Sequence, residues 1–442
     1  MGSGSSRDGA VYSIIVREAM PVDMDIPRVI LSPSKRSILA AENAYTIKKA
    51  PRSMSGVVKL RASAVAAAVG SPATSNRLIN PVTQEVRVSA KMNWLLKGGD
   101  FGTLLRLDSF EMVKILGAGL MGVVRLAKMK EYGVYVALKS INKDIILRNN
   151  DVRHIANERE ILYLMSSPFC VKLFGTFQDN KAIYFIMEYS VGGELFNLLP
   201  RRDVLNYDAC KFYIMEIFCA LEHVHTLGYV YRDLKPENIM IDEFGHCKLI
   251  DFGFAIRPNE EGLCRTSVGT SEYLSPELLN GKFTNGYTGQ IDWWAFGCLL
   301  YELMTGFTPF TRRGEQKSKY EIYLSILKGN IKFTNQFDNK SRDLVMQLCH
   351  PEIDKRLIVM DQIKSHSYFD IDWRAVQERR ILPPFVPRVN EPTDFNYFKK
   401  TYMVDGLGAN GEPLEMADDA RSPDRSLRVG VATENVNLFS GF

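Results

Sequence analysis

The stretch from residue 231 to residue 253, YRDLKPENIMIDEFGHCKLIDFG, constrains the fold more than any other part of the chain. Two short apolar runs, 239–241 and 247–250, flank a turn at Glu243-Phe244-Gly245, and this pattern predicts a β-hairpin. The hairpin would bring the polar side chains of residues 233–238 beside Asp251. A fold that contains this sequence therefore has two groups of polar side chains next to each other.

These side chains have the chemistry that phosphoryl transfer from ATP requires. The reaction needs positioned metal ions, neutralisation of phosphate charge, and a carboxylate that accepts the proton of the acceptor hydroxyl. Asp233 can be that carboxylate, and Lys235 can reach the transferred phosphate. The oxygens of Asn238 and Asp251 can hold two magnesium ions. A chance charged loop is the alternative, and the motifs upstream argue against it.

A glycine-rich turn, GAGLMGVV at residues 117–124, precedes this stretch. Its glycines allow a backbone to approach phosphates closely. The same spacing suits a dinucleotide-binding fold, in which a helix follows the last glycine. Here the chain stays rich in strand-forming residues up to Lys139, and residues 151–165 then have the pattern of an amphipathic helix with Glu158. This order favours a strand lysine that neutralises phosphate charge and a helix glutamate that holds it.

The combined motifs resemble those of protein kinases. The resemblance implies an α+β, bilobal protein kinase fold, with an antiparallel β small lobe carrying one main helix and a mostly helical large lobe. It makes Asp233, Lys235, Asn238 and Thr270 catalytic residues, and Asn238 and Asp251 the ligands of two magnesium ions. The strand that ends at Met187 would lead into the hinge, where the adenine of ATP lies. The implied ATP-binding residues are Gly117, Ala118, Gly119, Leu120, Met121, Gly122, Val124, Ala137, Lys139, Glu158, Met187 (as gatekeeper), Glu188, Tyr189, Ser190 and Met240.

Finer details resemble the AGC group of Ser/Thr kinases, which includes the cyclic-AMP-dependent, cyclic-GMP-dependent and phospholipid-dependent enzymes. The catalytic loop reads YRDLKPEN, the magnesium segment reads DFGFA, and residues 382–387, LPPFVP, match the start of the C-terminal tail of this group. The last four residues, Phe439-Ser440-Gly441-Phe442, are most similar to the terminus of cyclic-AMP-dependent catalytic subunits. There, the two aromatic rings would brace the helix with Glu158. In the same tail, Phe398 would cover the adenine.

The resemblance to cyclic-AMP-dependent catalytic subunits also implies a substrate class. Acidic side chains in that subunit bind the arginines that precede the target hydroxyl, and a carboxylate surface favours the guanidinium fork. The chain should therefore phosphorylate Ser or Thr preceded by basic residues. The matching acidic residues are Glu194, Glu237, Glu272 and Glu302.

The segment after Asp251 is the expected activation segment, with Thr266 as its phosphorylation site. A phosphate there would pair with Arg232 and secondarily with His154. The departures from the cyclic-AMP-dependent subunit include Arg265, which replaces a tryptophan that helps dock the regulatory subunit, and Ile256, which replaces a lysine that helps bind the phosphate. The alternative is therefore an AGC kinase without a cyclic-nucleotide-binding partner, activated through Thr266 by an upstream kinase. A pseudokinase scaffold is disfavoured because no catalytic residue is missing.

Two further pairings follow from the resemblance and concern the architecture. Glu277 would form an ion pair with Arg356, and Asp292 would cap the backbone of the catalytic loop.

The sequence divides into four predicted regions. Residues 1–81, rich in Ser, Ala, Pro and Arg, are expected to be a largely disordered extension, and residues 82–107 a helix and linker. Residues 108–369 would be the catalytic domain, and residues 370–442 the AGC-type tail. The start, MGSGSS, fits N-myristoylation at Gly2, with a flexible leader as the equal alternative.

Composition limits the partners and the compartment. The formal net charge is only +4, which does not argue for nucleic acid. The seven cysteines form no C-x-x-C pair, so we expect reduced thiols in a cytoplasmic protein. No apolar run approaches the ~20 residues of a membrane helix, so membrane contact would depend on acylation of Gly2.

Overall fold

A computed structural model describes residues 105–118, 122–198, 204–266, 268–280, 285–311 and 317–398, without the side chains of Phe196 and Leu198. All of them belong to one compact unit. The predictions for residues 1–104, for Gly2 and for the terminal Phe439 and Phe442 lie outside the described residues. No helix in the described ranges is long and apolar enough to cross a bilayer.

The small lobe is built on an antiparallel sheet with the strand order β1-β2-β3-β5-β4. In β3, alternate side chains face opposite sides of the sheet. Val136 and Leu138 join one apolar cluster, whereas Ala137 and Ile141 join the main core on the other face. Lys139 lies two positions from both Ala137 and Ile141, so its side chain is on the same face of the sheet as theirs and points towards the main core. The strands are β1 (Phe110–Ala118), β2 (Gly122–Met129), β3 (Val134–Asn142), β4 (Leu173–Gln178) and β5 (Ala182–Met187).

Two helices, α1 (Lys143–Asn149) and α2 (Val152–Leu164), follow β3. The buried residues of α2 are Ile155, Glu158, Ile161 and Leu162, which lie three to four positions apart and so share one face of the helix. Glu158 therefore belongs to the buried face although it is charged.

The large lobe is organised around two buried helices, α3 (Tyr207–Thr226) and α5 (Gln290–Thr305). Asn206 caps α3, since its side chain accepts a hydrogen bond from the amide of Ala209 at 2.8 Å. A short hairpin, β6 (Ile239–Ile241) and β7 (Cys247–Leu249), confirms the hairpin predicted from the sequence. The other helices are α4 (Pro276–Leu279), α6 (Lys319–Lys328), α7 (Asn339–Leu348), α8 (Met360–Lys364) and α9 (Trp373–Gln377).

Two structural pairings expected from the sequence are present in the large lobe. Arg356 and Glu277 form a buried two-pronged ion pair, with Nη1–Oε1 and Nη2–Oε2 distances of 2.7 and 2.9 Å. Asp292, in the first turn of α5, contacts the backbone before Asp233. All seven cysteines are buried and free.

The described part of the tail, residues 370–398, returns over the large lobe to the segment after β5. Arg379 forms an ion pair with Asp242 of the β6–β7 turn at 2.5 Å. Tyr397 then lies directly against Gly193, where a β-carbon would come within 2.1 Å of the Tyr397 carbonyl oxygen. Gly193 also has φ +75°, a conformation that favours glycine. The tail can approach this closely only because Gly193 has no side chain.

We therefore expect Gly193→Ala to release the tail from the segment after β5. The added methyl group clashes with Tyr397, so amide hydrogen exchange of residues 394–398 should accelerate, and mass spectrometry of the exchanged peptides measures this.

Gly228→Ala is the matched control. Gly228 has φ +81° and nothing within 4 Å of its virtual β-carbon, so it carries the same backbone penalty without the clash. Equal exchange in the two variants at residues 394–398 would show that Gly193 does not set the position of the tail.

Candidate active site

The conformation of the loop before Asp233 depends on a single buried carboxylate. Asp292, 1% exposed, accepts hydrogen bonds from the amides of Tyr231 and Arg232, each at 2.8 Å. Its Oδ2 also lies 2.7 Å from Nε2 of His225. Arg232 has φ +73°, a rarely populated conformation for a residue with a side chain. The two amide bonds hold this strained backbone in place.

Asp233 lies at the centre of a hydrogen-bonded group. Its Oδ2 accepts from Lys235 Nζ at 2.7 Å and from Asn238 Nδ2 at 2.8 Å. Its Oδ1 accepts from Thr270 Oγ1 at 2.9 Å, and Lys235 Nζ also donates to Thr270 Oγ1 at 3.0 Å. The structure thus brings together all four predicted catalytic residues, and their contacts fix the direction of the Asp233 carboxylate.

Asn238 and Asp251 have donor groups that suit a hard divalent cation. Asn238 uses Nδ2 for its contacts with Asp233, which turns the opposite end of the amide, Oδ1, away from them. Asp251 is half-buried, and Oδ1 accepts from the amide of Gly253 at 3.0 Å. The backbone links the two residues, because the amide of Ile250 donates to the Asn238 carbonyl at 3.0 Å. A carboxylate and an amide oxygen from neighbouring positions therefore fit the divalent metal that protein kinase domains use.

Lys139 and Glu158 form the ion pair expected between β3 and α2. Lys139 Nζ lies 2.5 Å from Glu158 Oε1, and Glu158 is 3% exposed. Burial alone would lower the pKa of Lys139, but the nearby carboxylates of Glu158 and Asp251 outweigh it and raise the pKa. Lys139 is therefore a fixed cation next to the predicted metal ligand.

The glycine turn is described in part, since Gly119, Leu120 and Met121 lie outside the described residues. At Gly122 a β-carbon would come within 1.9 Å of the Ser140 carbonyl oxygen, so β2 and β3 require a glycine there. Among the described residues, nothing lies within 4 Å of a virtual β-carbon at Gly117. Gly122 thus has a packing role, whereas the described residues leave space beside Gly117.

The predicted adenine site lies where β3, β5 and β6 meet. Sheet register places Ala137 beside Met187, the last residue of β5. The next segment runs along β6, since the amide of Ile241 donates to the Gly193 carbonyl at 2.8 Å. Met240 therefore lies next to the hinge. Val124 packs against the same core as Ala137 and Met187.

Within the hinge, the side chains of the predicted residues point to different partners. Glu188 forms an ion pair with Lys248 at 3.0 Å, and Tyr189 stacks on Phe398 with a ring distance of 6.0 Å. Ser190 is 5% exposed. Phe398, predicted as an adenine cover, thus covers the hinge tyrosine, whereas Phe395 reaches β1, with Lys114 Nζ 4.8 Å above its ring.

Thr266 is already held by Arg232 in this structure. Arg232 Nη1 donates to Thr266 Oγ1 at 2.6 Å and to the Tyr287 hydroxyl at 3.0 Å. The Tyr287 hydroxyl in turn donates to the Thr266 carbonyl at 2.6 Å. His154, expected as the second partner of a phosphate on Thr266, has its Nδ1 2.9 Å from Asp151 Oδ1, and its pairing with a phosphate stays a prediction.

Three of the four predicted substrate-binding carboxylates influence one another. Glu302 is 9% exposed, and Oε2 accepts a hydrogen bond from the Tyr273 hydroxyl. Burial and the nearby charges of Glu237 and Glu272 raise the pKa of Glu302 to about 8. Burial and the charge of Glu237 also raise the pKa of Glu272. The backbone of Glu194 forms a bridge with Met240 of β6.

Sequence reasoning missed Tyr287 and Lys248, both of which contact predicted site residues. Tyr287 lies 55 positions from Arg232, and it belongs to none of the motifs described in the sequence. Lys248 was read only as part of a hairpin strand. A lysine between two apolar residues of a buried strand was the one available signal.

Comparisons with known proteins agree with this geometry. The pattern of the protein kinase domain matches residues 110–369. A cAMP-dependent protein kinase catalytic subunit of Dictyostelium discoideum is 37% identical over 299 residues, which cover 66% of this chain and 45% of that protein. The RAC family serine/threonine-protein kinase homolog of the same organism is 39% identical over 64% of this chain and 63% of its own length. The human cAMP-dependent protein kinase catalytic subunit PRKX is 38% identical over 66% of this chain and 81% of its own length.

The similarity thus covers about two thirds of this chain, and less than two thirds of each of the two Dictyostelium relatives. It includes every described residue of the catalytic loop, the glycine turn and the β3–α2 ion pair. With its five-stranded sheet, helical large lobe and matching domain, the chain belongs to the protein kinase family and has the bilobal protein kinase fold.

Proposed function

We propose that this chain is a Ser/Thr protein kinase of the AGC group that transfers the γ-phosphoryl group of ATP to Ser or Thr preceded by basic residues. The observation that carries the proposal is the hydrogen-bonded group of Asp233, Lys235, Asn238 and Thr270 beside Asp251. The named Ser/Thr kinases among the relatives support the reaction class.

In this mechanism each catalytic side chain has one task. Asp233 accepts the proton of the substrate hydroxyl, and Thr270 and Asn238 keep its carboxylate in one orientation. Lys235, 2.7 Å from Asp233, neutralises charge that develops on the transferred phosphoryl group. Lys139 neutralises the α- and β-phosphates, with Glu158 holding its ammonium group.

We assign Asn238 and Asp251 as ligands of magnesium, for which two ions are the expected number in this family. When bound, the metal neutralises phosphate charge. The chain's own contribution is to present one amide oxygen and one carboxylate at the open end of the β6–β7 hairpin, one beside each strand. Since Mg²⁺ keeps several waters and substrate oxygens as ligands, two protein residues are sufficient.

Regulation through Thr266, without a cyclic-nucleotide-binding partner, is the variant of this function that the contacts favour. Arg232 already reaches Thr266 Oγ1, so a phosphate there would gain a charge-assisted bond with an arginine tied to the catalytic loop. Arg265, which stands where the docking tryptophan is expected, forms an ion pair with Glu261 on its own loop. Its side chain is therefore engaged within the activation segment.

The first test is phosphate transfer from Mg-ATP to three peptides that contain Arg-Arg-x-Ser, Ser-Pro, or Ser with acidic flanks. We expect strong transfer to the basic peptide alone. Asp233→Asn should reduce this transfer at least about a hundredfold, because the proton acceptor is lost while the hydrogen-bonding shape is kept.

Each outcome bears on a different part of the proposal. Preferential transfer to one of the other two peptides would support the proposed kinase activity but reject the proposed substrate class. Absence of transfer from protein shown to be phosphorylated at Thr266 would reject the activity itself and favour a scaffold.

The raised pKa of Glu302 predicts a pH dependence of substrate binding. Below pH 8 the Glu302 carboxyl is mostly neutral, and it becomes an anion as the pH rises through about 8. The arginines of the peptide remain charged throughout. KM for the Arg-Arg-x-Ser peptide should therefore fall by up to about tenfold between pH 7 and pH 9.

Glu302→Gln keeps an acceptor for the Tyr273 hydroxyl but cannot ionise, so it is the control. Steady-state kinetics of both proteins over this pH range make the comparison. If the variant shows the same fall in KM, Glu302 is not the group responsible.

A further inference from the structure

Lys248, in the middle of β7, is a buried cation that the catalytic mechanism does not use. Its side chain is 4% exposed, and Nζ lies 3.0 Å from both Glu188 Oε1 and the carbonyl oxygen of Pro168. A lysine is rarely buried unless it is paired, because removing its charge from water is costly. These contacts thus determine where the side chain can lie.

The partner, Glu188, is the first hinge residue after β5, and it is fixed at more than one point. Its amide donates to the Lys172 carbonyl at 2.9 Å, and its Oε2 accepts from the Lys172 amide at 3.3 Å. Its other oxygen faces Lys248. The hinge backbone is therefore attached on one side to the residue before β4 and, through one carboxylate, to the β6–β7 hairpin.

Lys248 lies opposite Met240 in the hairpin register. Directly opposed residues of an antiparallel pair project from the same face, so Lys248 and Met240 both face the hinge. Met240 is the proposed apolar floor under the adenine. The Lys248–Glu188 contact therefore adds a link between the first hinge residue and the strand opposite Met240, beside the backbone hydrogen bond from Ile241 to Gly193.

The same strand is held firmly on its other edge. The amide of Leu249 donates to the Phe169 carbonyl at 2.8 Å, and the Val171 amide donates to the Leu249 carbonyl at 2.9 Å. Pro168, which accepts from Lys248, immediately precedes this contact. These bonds fix the backbone of β7 next to Lys248. The Lys248 side chain can therefore constrain the hinge, because its own backbone does not move with the hinge.

We infer that Lys248 is a positioning residue for nucleotide binding, which acts through Glu188 to hold the hinge at the correct distance from Met240. The inference rests on the proposed function, because it assumes that the adenine of ATP binds between these two segments.

The test compares Lys248→Met with the unmodified chain. Methionine fills a similar volume without the charge. KM for ATP should rise about tenfold, which corresponds to about 1.4 kcal/mol of lost binding free energy, while kcat at saturating ATP stays within about twofold. KM for the peptide should not change. Lys248→Arg, which keeps a cation next to Glu188, should recover most of the affinity.

Two further variants separate positioning from stability. In Lys248→Met/Glu188→Met neither partner is left as an uncompensated buried charge, so the melting temperature should return towards that of the unmodified chain. The ATP KM should remain high if the contact positions the hinge, and its recovery together with stability would overturn the inference. Lys364→Met, which breaks a half-buried ion pair with Glu222 in the large lobe, should leave the ATP KM unchanged.

Calorimetric titration of each protein with Mg-ATP keeps this test independent of catalysis. If the unmodified chain binds Mg-ATP but transfers no phosphate, the proposed function fails, whereas a weaker affinity of Lys248→Met still supports the role of Lys248. Equal affinity of the two proteins would reject that role.

Discussion

The carboxylate of Asp292 is the contact on which the arrangement of the active site depends. It accepts hydrogen bonds from the amides of Tyr231 and Arg232 and thereby stabilises the positive φ of Arg232. That conformation determines where the next residue, Asp233, is presented. It also directs the Arg232 guanidinium to Thr266 and Tyr287. One buried side chain thus couples the proton acceptor to the activation segment.

Buried charges recur in this structure as connections between elements that are distant in the sequence. Lys139–Glu158 links β3 to α2, Lys248–Glu188 links β7 to the hinge, and Arg356–Glu277 links the segment after α7 to α4. Ion pairs of this kind add little net stability, because desolvation offsets the attraction, but removal of one partner is costly. Their effect is to exclude alternative arrangements of the elements that they join.

The tail adds a second set of constraints to the hinge. Arg379 is tied to the β6–β7 turn, Tyr397 lies against Gly193, and Phe398 stacks on Tyr189. The hinge therefore lies between the hairpin, which reaches it through Lys248, and the tail, which covers its tyrosine. These two contacts involve consecutive residues, Glu188 and Tyr189. A displacement of the hairpin or of the tail would therefore move the hinge at the adenine site.

The sequence by itself determined the hairpin and the positions of Asp233, Lys235 and Asn238, because these depend on short-range order, and the resemblance to protein kinases added the bilobal fold and the role of Thr270. The spacing from Asp233 to Asn238 and the turn before Asp251 specify a loop and a hairpin with few alternatives, so Asp233, Lys235 and Asn238 lie together. Glu158 was also predictable, since it stands 19 residues after Lys139, where the resemblance to protein kinases places the ion-pair glutamate. Only the tertiary structure decided which partner each long side chain meets. Lys248 pairs with Glu188, 60 residues earlier in the sequence, and Arg232 donates to the hydroxyl of Tyr287, 55 residues later. Such contacts depend on the packing of whole elements, because a flexible charged side chain carries no local pattern that names its partner.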